Sequence, residues 1–124
     1  MSEIRATTIS DLVGTGPVTL TGQYAQTVRI QFDGTGTISI TDSENCSSIT
    51  DVGNGTTTIN FTNAHADANY SFAGSSGDPS NTTVSAAPRS VVPTTSALRK
   101  ISVTVTGTAT DVAYNSMMVS GDLA

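Results

Sequence analysis

Tryptophan is absent from this 124-residue chain, and cysteine and histidine occur only once each. The single Cys46 has no partner for an internal disulfide. One cysteine and one histidine also fall short of the three or four ligands that a zinc site requires. Only 12% of the residues are charged, against about a quarter in ordinary soluble domains. Because a catalytic centre needs several reactive side chains in one place, this composition favours a non-enzymatic protein.

Positive charge is scarce as well, with five basic residues against ten acidic ones and a net charge of −5. The basic residues are scattered, so they cannot neutralise a row of phosphates, and nucleic-acid binding is not expected. No apolar run approaches the roughly 20 residues of a membrane-spanning helix, which argues against membrane insertion. The N-terminus lacks the basic-then-apolar order of a signal peptide. The protein is therefore predicted to be made in a cytoplasm and not exported by that route.

The few groups with chemical potential lie in polar segments of the chain. His65 and Asp67 share a polar loop, where we expect a solvated histidine and not a catalytic base. Calcium is the harder alternative to dismiss because Asp42, Glu44 and Asp51 flank turns, but neither turn has the spacing of an EF-hand loop. The sequence therefore predicts no catalytic residues, no metal ligands and no cofactor.

Alternation of apolar and polar residues with a period of two dominates the chain, which is typical of half-buried β-strands. Val28, Ile30 and Phe32 share one face of a predicted strand, and Ile38 and Ile40 share a face of the next. The Asp-Gly-Thr-Gly sequence between them has the glycines that a tight turn needs. The sequence therefore predicts a β-hairpin here.

Further strands are indicated on both sides of the middle of the chain. Thr57 and Ile59 alternate with polar neighbours after the turn-forming sequence Asp-Val-Gly-Asn-Gly. Near the C-terminus, Ile101, Val103 and Val105 are expected to face inward, and a last strand is predicted at about residues 111–119. We expect the centre of the core to be formed by the aromatic residues Phe32, Phe61, Tyr70 and Phe72.

Residues 74–95 differ from the rest of the chain because glycine, serine and proline replace the regular alternation. An exposed, flexible loop is predicted at residues 74–80, and side chains of the whole segment 74–95 are expected to be available for recognition. The candidate recognition residues are Ser75, Asp78, Pro79, Asn81 and Arg89.

About seven or eight short strands separated by turns predict an all-β protein, an antiparallel β-sandwich for which a jelly-roll arrangement is one option. The sandwich is expected to span residues 25–124. Residues 1–24 are predicted to form an extended arm that attaches to another subunit or to a larger assembly, the alternative being an edge strand of the same sandwich. Because open sheet edges favour symmetric self-association, a closed homo-oligomer is expected, and a homotrimer is the form that we favour. Candidate inter-subunit contacts are Ile9, Leu12, Val18, Leu20, Met117 and Met118.

Four segments of the chain stand in a distinctive order: Phe32–Ile38, Asn45–Gly55, Thr58–Ala64 and Asp67–Tyr70. Together with the opening Ile9–Gln23 and the closing Gly121–Ala124, they resemble small virion and tail-fibre proteins of tailed phages, notably those of marine bacteria and cyanobacteria. The resemblance implies a β-sandwich-like virion component that is often trimeric, with no catalytic residue to carry over.

These observations favour an oligomeric fibre or knob on the surface of a tailed-phage virion, which contacts the host through a surface glycan or receptor. The alternative is a head-decoration, or cement, protein that stabilises the capsid lattice. A carbohydrate-binding module is a third reading, and a polysaccharide hydrolase is the least favoured. The expected partners are further copies of the chain and other virion proteins, and the expected location is the virion, assembled in the host cytoplasm.

Overall fold

The computed structural model describes residues 26–79, 83–86 and 91–124, which form β-strands and connecting loops and no helix. The strands are β1 (Gln26–Asp33), β2 (Ser39–Glu44), β3 (Cys46–Gly53), β4 (Thr56–Phe61), β5 (Ser71–Gly77), β6 (Thr83–Ala86), β7 (Ala97–Thr104) and β8 (Tyr114–Ser120). They pair into two four-stranded antiparallel sheets. The first sheet has the strand order β2-β1-β8-β5 and the second has the order β3-β4-β7-β6. The prediction of an antiparallel β-sandwich is therefore confirmed. Within these ranges no helix long and apolar enough to cross a membrane occurs.

The strands connect partly within a sheet and partly between the sheets. Consecutive strands form antiparallel pairs at β1–β2, β3–β4 and β6–β7, whereas the other connections cross from one sheet to the other. The crossing from β2 to β3 takes a single residue, Asn45, which adopts a φ of 53°. Its side-chain amide donates to the Thr27 carbonyl at 3.0 Å and accepts from the Asn63 amide at 2.7 Å. Asparagine is among the few residues that enter this left-handed region readily, so it suits this sharp corner.

Both turns that the sequence indicated are present. The predicted hairpin is β1–β2, with Phe32 opposite Ile40 and a turn in which Gly36 has a φ of 57°. The second turn joins β3 to β4, and its Gly55 has a φ of 65°. A Cβ at Gly55 would lie 2.4 Å from the carbonyl oxygen of Ser102. Glycine is therefore required there both by the backbone angle and by the close approach of a neighbouring strand.

The core lies between the sheets and includes most of the aromatic residues that we expected there. Phe32, Phe61 and Tyr70 are buried, and Phe72 is partly buried and packs against them. The remaining buried members of the cluster are aliphatic or methionine side chains: Val28, Ile30, Ile59, Leu98, Met117 and Val119. Leu98 lies directly opposite Ile59 in the β4–β7 pair, so the two side chains share the inward face.

The expected orientation of β7 is wrong. Leu98, Lys100 and Ser102 are the residues that face the core, while Ile101 and Val103 are only partly buried and Val105 is 68% exposed beyond the end of the strand. The sequence prediction chose the face that carries more apolar side chains, which are Ile101, Val103 and Val105. The pairing with β4 determined the face instead, because a shift of one residue would move Leu98 away from Ile59 and out of the core.

The predicted loop at residues 74–80 is also wrong over most of its length. Residues 74–77 belong to β5, which pairs with β8 along seven consecutive residues. Gly74 lies against β8 so closely that a Cβ there would be 2.7 Å from the Ser116 carbonyl oxygen. Glycine and serine, which indicated a loop in the sequence, thus allow two strands to pair closely here. The last strand begins at Tyr114, three residues later than expected. Val91 and Val92, whose β-branched side chains weakly indicated a strand, lie outside the strands.

Substitutions at an inward-facing residue of β7 and at Val105, just beyond its end, test the orientation of this segment. We expect Leu98→Ala to lower the free energy of unfolding by about 2–5 kcal/mol, because it leaves a cavity between the sheets. The matched control is Val105→Ala, which changes an exposed side chain and is expected to stay within about 0.5 kcal/mol of the original protein. Urea denaturation measures both, and a larger loss for Val105→Ala would contradict the orientation.

Candidate functional site

A cluster of polar side chains lies between the sheets, at the end where β1 finishes and β8 begins. β7 contributes Lys100 and Ser102, β8 contributes Asn115 and β5 contributes Ser76. Strand alternation turns each of these residues towards the interior. Lys100 is 1% exposed, Ser102 2% and Asn115 5%, so these three side chains are almost completely shielded from water, and Ser76 is partly buried.

The ammonium group of Lys100 is hydrogen-bonded entirely by neutral oxygens. Its Nζ donates to Ser76 Oγ at 2.5 Å, to Ser102 Oγ at 2.8 Å and to Asn115 Oδ1 at 2.8 Å. These three bonds use the three N–H donors of a protonated lysine. The Phe32 ring lies 5.7 Å from Nζ, within the range of a cation–π interaction. Burial lowers the pKa of Lys100 from 10.5 to about 8 because water no longer solvates its charge.

Asn115 connects this cluster to the backbone of the first sheet. Its Oδ1 accepts from Lys100 and also from Ser102 Oγ at 2.9 Å, and its Nδ2 donates to the carbonyl of Val112 at 2.8 Å. The side chain therefore has both its acceptor and its donor occupied inside the protein. Since Val112 precedes β8 and Lys100 belongs to the other sheet, these bonds tie the two sheets together at this end.

A groove opens above the cluster on the outer side of the first sheet. It has a volume of about 560 Å³ and runs across the ends of β1, β8 and β5. Ser76 and Asn115 form part of its lining, so the residues that bind Lys100 also shape the groove. Tyr114, which is 67% exposed, lines the groove beside them. The sequence pointed to neither Lys100 nor Tyr114 as a site residue, because their importance depends on which strands meet at this end.

The opposite end of the sandwich is closed by aromatic rings around His65. The prediction of a solvated histidine is wrong, since His65 is 2% exposed. Its ring lies 5.0 Å from that of Phe61 and 4.5 Å from that of Tyr70, between centroids. The loop is drawn inward because the backbone of His65 donates to Thr95 and forms a bridge with Leu123. Burial lowers the pKa of His65, which favours the neutral imidazole.

His65 contacts one hydroxyl group, and the hydrogen bonds indicate a structural contact. Its Nε2 lies 2.7 Å from Thr27 Oγ1, which donates to the carbonyl of Val119 at 3.2 Å. The Nδ1 atom is buried and has no hydrogen-bond partner in the described part of the chain. No second polar side chain therefore orients the imidazole, as a partner of a catalytic base would.

The candidate recognition residues are only partly brought together. Ser75 is exposed in β5 and lines the groove, whereas Asp78 and Pro79 follow that strand. Asn81 and Arg89 lie outside the described residues, as does the whole predicted arm with Ile9, Leu12, Val18 and Leu20.

The two methionines predicted as inter-subunit contacts face opposite sides of β8. Met117 is 2% exposed in the core between the sheets, so its assignment to an interface is wrong. Met118 is 51% exposed on the outer face of the sheet. Among the described residues, β8 is therefore buried on one face only.

Two of the three carboxylates that the sequence placed near turns, Asp42 and Asp51, take part in local bonds. Asp42 pairs with Arg29 at 2.5 Å, which lowers the pKa of Asp42, and Asp51 Oδ1 accepts from the Gly53 amide at 3.0 Å. Across residues 26–79, 83–86 and 91–124, no group of three histidine, cysteine, aspartate or glutamate side chains comes together in a way that could hold a metal ion. Cys46 is partly buried against the core, and burial raises the pKa of its thiol.

The buried lysine makes the stability of the fold depend on pH. Between about pH 8 and 10.5 the unfolded chain binds a proton that the folded protein has released, so stability rises with pH in that window. From pH 7 to pH 9 we expect a gain of about 1 kcal/mol relative to Lys100→Met, which has no titrating group at this position. Urea denaturation of both proteins at pH 7, 8 and 9 measures the difference.

Two comparisons complete this test. Arg99→Met changes a neighbouring cation that is only partly buried and should retain the rise between pH 7 and 9. Equal pH dependence in the original protein and Lys100→Met would show that the amine is not desolvated. Tyr70 acts in the opposite direction, because burial raises its pKa to about 12, but its effect begins only near pH 10.

Comparison of the chain with protein-family models, with curated proteins and with solved structures gives no match. Function therefore has to be inferred from the residues of the chain and their geometry.

Proposed function

We propose that this chain is a non-enzymatic, self-associating structural protein, and that it serves as a surface component of a tailed-phage virion. The virion assignment is supported by the resemblance of the segments between Phe32 and Tyr70 to small virion and tail-fibre proteins. Self-association is supported by the outer face of the first sheet, and above all by Met118. A fibre or knob is our preferred form of this component.

Met118 stands at the centre of the outer face of the first sheet, beside small side chains and one charged residue, Arg29. It lies opposite Ala73 on β5 and opposite Arg29 on β1. A shallow groove of about 360 Å³ runs beside it, lined in part by Gly74 and Ser116. Small side chains around one large, flexible apolar side chain allow another surface to approach closely. Methionine is among the residues enriched at protein interfaces.

The occupant that we infer for this face is a second copy of the same chain. A protein with a net charge of −5 repels its own copies where acidic surfaces meet. On this face Arg29 offsets part of the acidic charge, because it pairs with Asp42 and is also attracted by Glu44 on the neighbouring strand. An apolar contact centred on Met118 can be repeated around a rotation axis. A homotrimer is the assembly that we propose.

The decisive variant for self-association is Met118→Lys. Light scattering is expected to give the mass of a trimer for the original protein at micromolar concentration and the mass of a monomer for Met118→Lys. The reason is that an ammonium group placed in an apolar contact loses its hydration without gaining a partner. Val105→Lys is the matched control, since Val105 is also exposed but lies at the end of β7. A monomeric original protein, or a trimeric Met118→Lys, would contradict the proposed interface.

The abundance of the chain in purified virions distinguishes a fibre or knob from a decoration protein. We expect quantitative protein gels to give a few copies per particle, as for an appendage that occurs at one or a few places. A copy number close to that of the capsid subunits would instead identify a head-decoration protein. Absence of the chain from purified virions would contradict the virion assignment in either form.

A further inference from the structure

The groove at the Tyr114 end of the first sheet carries polar groups that the fold does not use. The side chains of Gln31, Thr41 and Tyr114 line it, and none of them makes a hydrogen bond within the described part of the chain. The other polar groups nearby are occupied. Ser75 and Ser116 bond each other at 2.7 Å, and Ser76 and Asn115 bond Lys100.

The side chains of Gln31 and Thr41 line the same groove as an exposed aromatic ring, that of Tyr114. Tyr114 begins β8 and is 67% exposed, which is unusual for a large aromatic side chain in a fold that buries Phe32, Phe61 and Tyr70. The face of an aromatic ring carries partial negative charge, and it attracts the partially positive C–H groups of a flat apolar surface. A ring of this kind beside a free amide and a free hydroxyl offers both an apolar platform and hydrogen-bonding partners.

The charge of the groove restricts what it can bind. Asp33 is its one charged lining residue among those described. Hydrogen bonds from the side chain and backbone of Thr35 lower the pKa of Asp33, so the carboxylate is ionised at neutral pH. With no cation in the lining to balance it, the groove disfavours anionic ligands and nucleic acid. The ligand that fits has apolar ring faces, many hydroxyl groups and no negative charge.

We propose that this groove is a binding site for a neutral saccharide, with one sugar ring against Tyr114 and its hydroxyl groups hydrogen-bonded to Gln31 and Thr41. A volume of about 560 Å³ lies within the range of ordinary small-molecule sites. The Lys100 cluster supports the site from below, because it holds Ser76 and Asn115 in place. The inference goes beyond assembly, and it does not require the proposed interface, since Met118 is not part of the groove.

Binding of defined saccharides to the full chain tests this site. An array of neutral and acidic glycans identifies the probe, and calorimetric titration with the best free saccharide then measures its affinity at millimolar concentrations. We expect neutral saccharides to bind and acidic ones to fail. Tyr114→Ala should weaken binding about tenfold, since it removes the aromatic contact, and Gln31→Ala should weaken it by a smaller factor.

The matched control is Val105→Ala, which changes an exposed residue just beyond β7, outside both the groove and the proposed interface, and should bind as the original protein does. Thermal unfolding of each variant shows that it is folded before binding is compared. Three results would overturn the proposal: no saccharide binds, only acidic saccharides bind, or neutral saccharides bind equally well after Tyr114→Ala. None of these results depends on whether the chain is a trimer or belongs to a virion, so failure here is distinguishable from failure of the proposed function.

Discussion

The amine of Lys100 has to be hydrogen-bonded inside the sandwich, and this requirement organises one end of the molecule. The register of β7 against β4 places Leu98 in the core, and the same alternation then brings Lys100 inward two residues later. A buried ammonium without hydrogen-bond partners would be prohibitively unfavourable. Ser76, Ser102 and Asn115 meet it from three strands and so join both sheets. Ser76 and Asn115 also line the groove beside Tyr114.

Different kinds of side chain fill the space between the sheets at the two ends of the sandwich. At the Lys100 end, polar side chains fill the space between the sheets and bond to one another. At the other end, His65 packs between Phe61 and Tyr70, and Tyr70 donates its hydroxyl to the carbonyl of Thr94 at 2.9 Å. Aliphatic side chains occupy the middle. A chain with few large apolar residues can close a two-layer fold in this way because hydrogen-bonded polar groups can be buried at modest cost.

The outer face of the first sheet combines two properties that suit a surface protein. Its centre carries the exposed side chain of Met118 among small residues, and its Tyr114 end is polar and carries unused hydrogen-bonding groups. The first property supports contact between copies and the second supports recognition of a small polar ligand. Because the two regions adjoin on one rigid sheet, assembly through the centre would present several identical grooves side by side, and repeated weak sites of this kind bind a repetitive surface more tightly than one site alone.

The sequence by itself determined the fold class, the β1–β2 hairpin, the turn before β4 and most of the aromatic core, because turn residues and period-two alternation act locally. It pointed to Ser75, which lines the groove, but it misplaced Met117, His65 and the inward face of β7. Lys100 and Tyr114 were not recognised at all. Only the tertiary structure decided these positions, because which face of a strand is buried depends on the partner strand's register. A groove lined by β1, β2, β5 and β8, with Lys100 of β7 behind it, exists only once distant strands have paired.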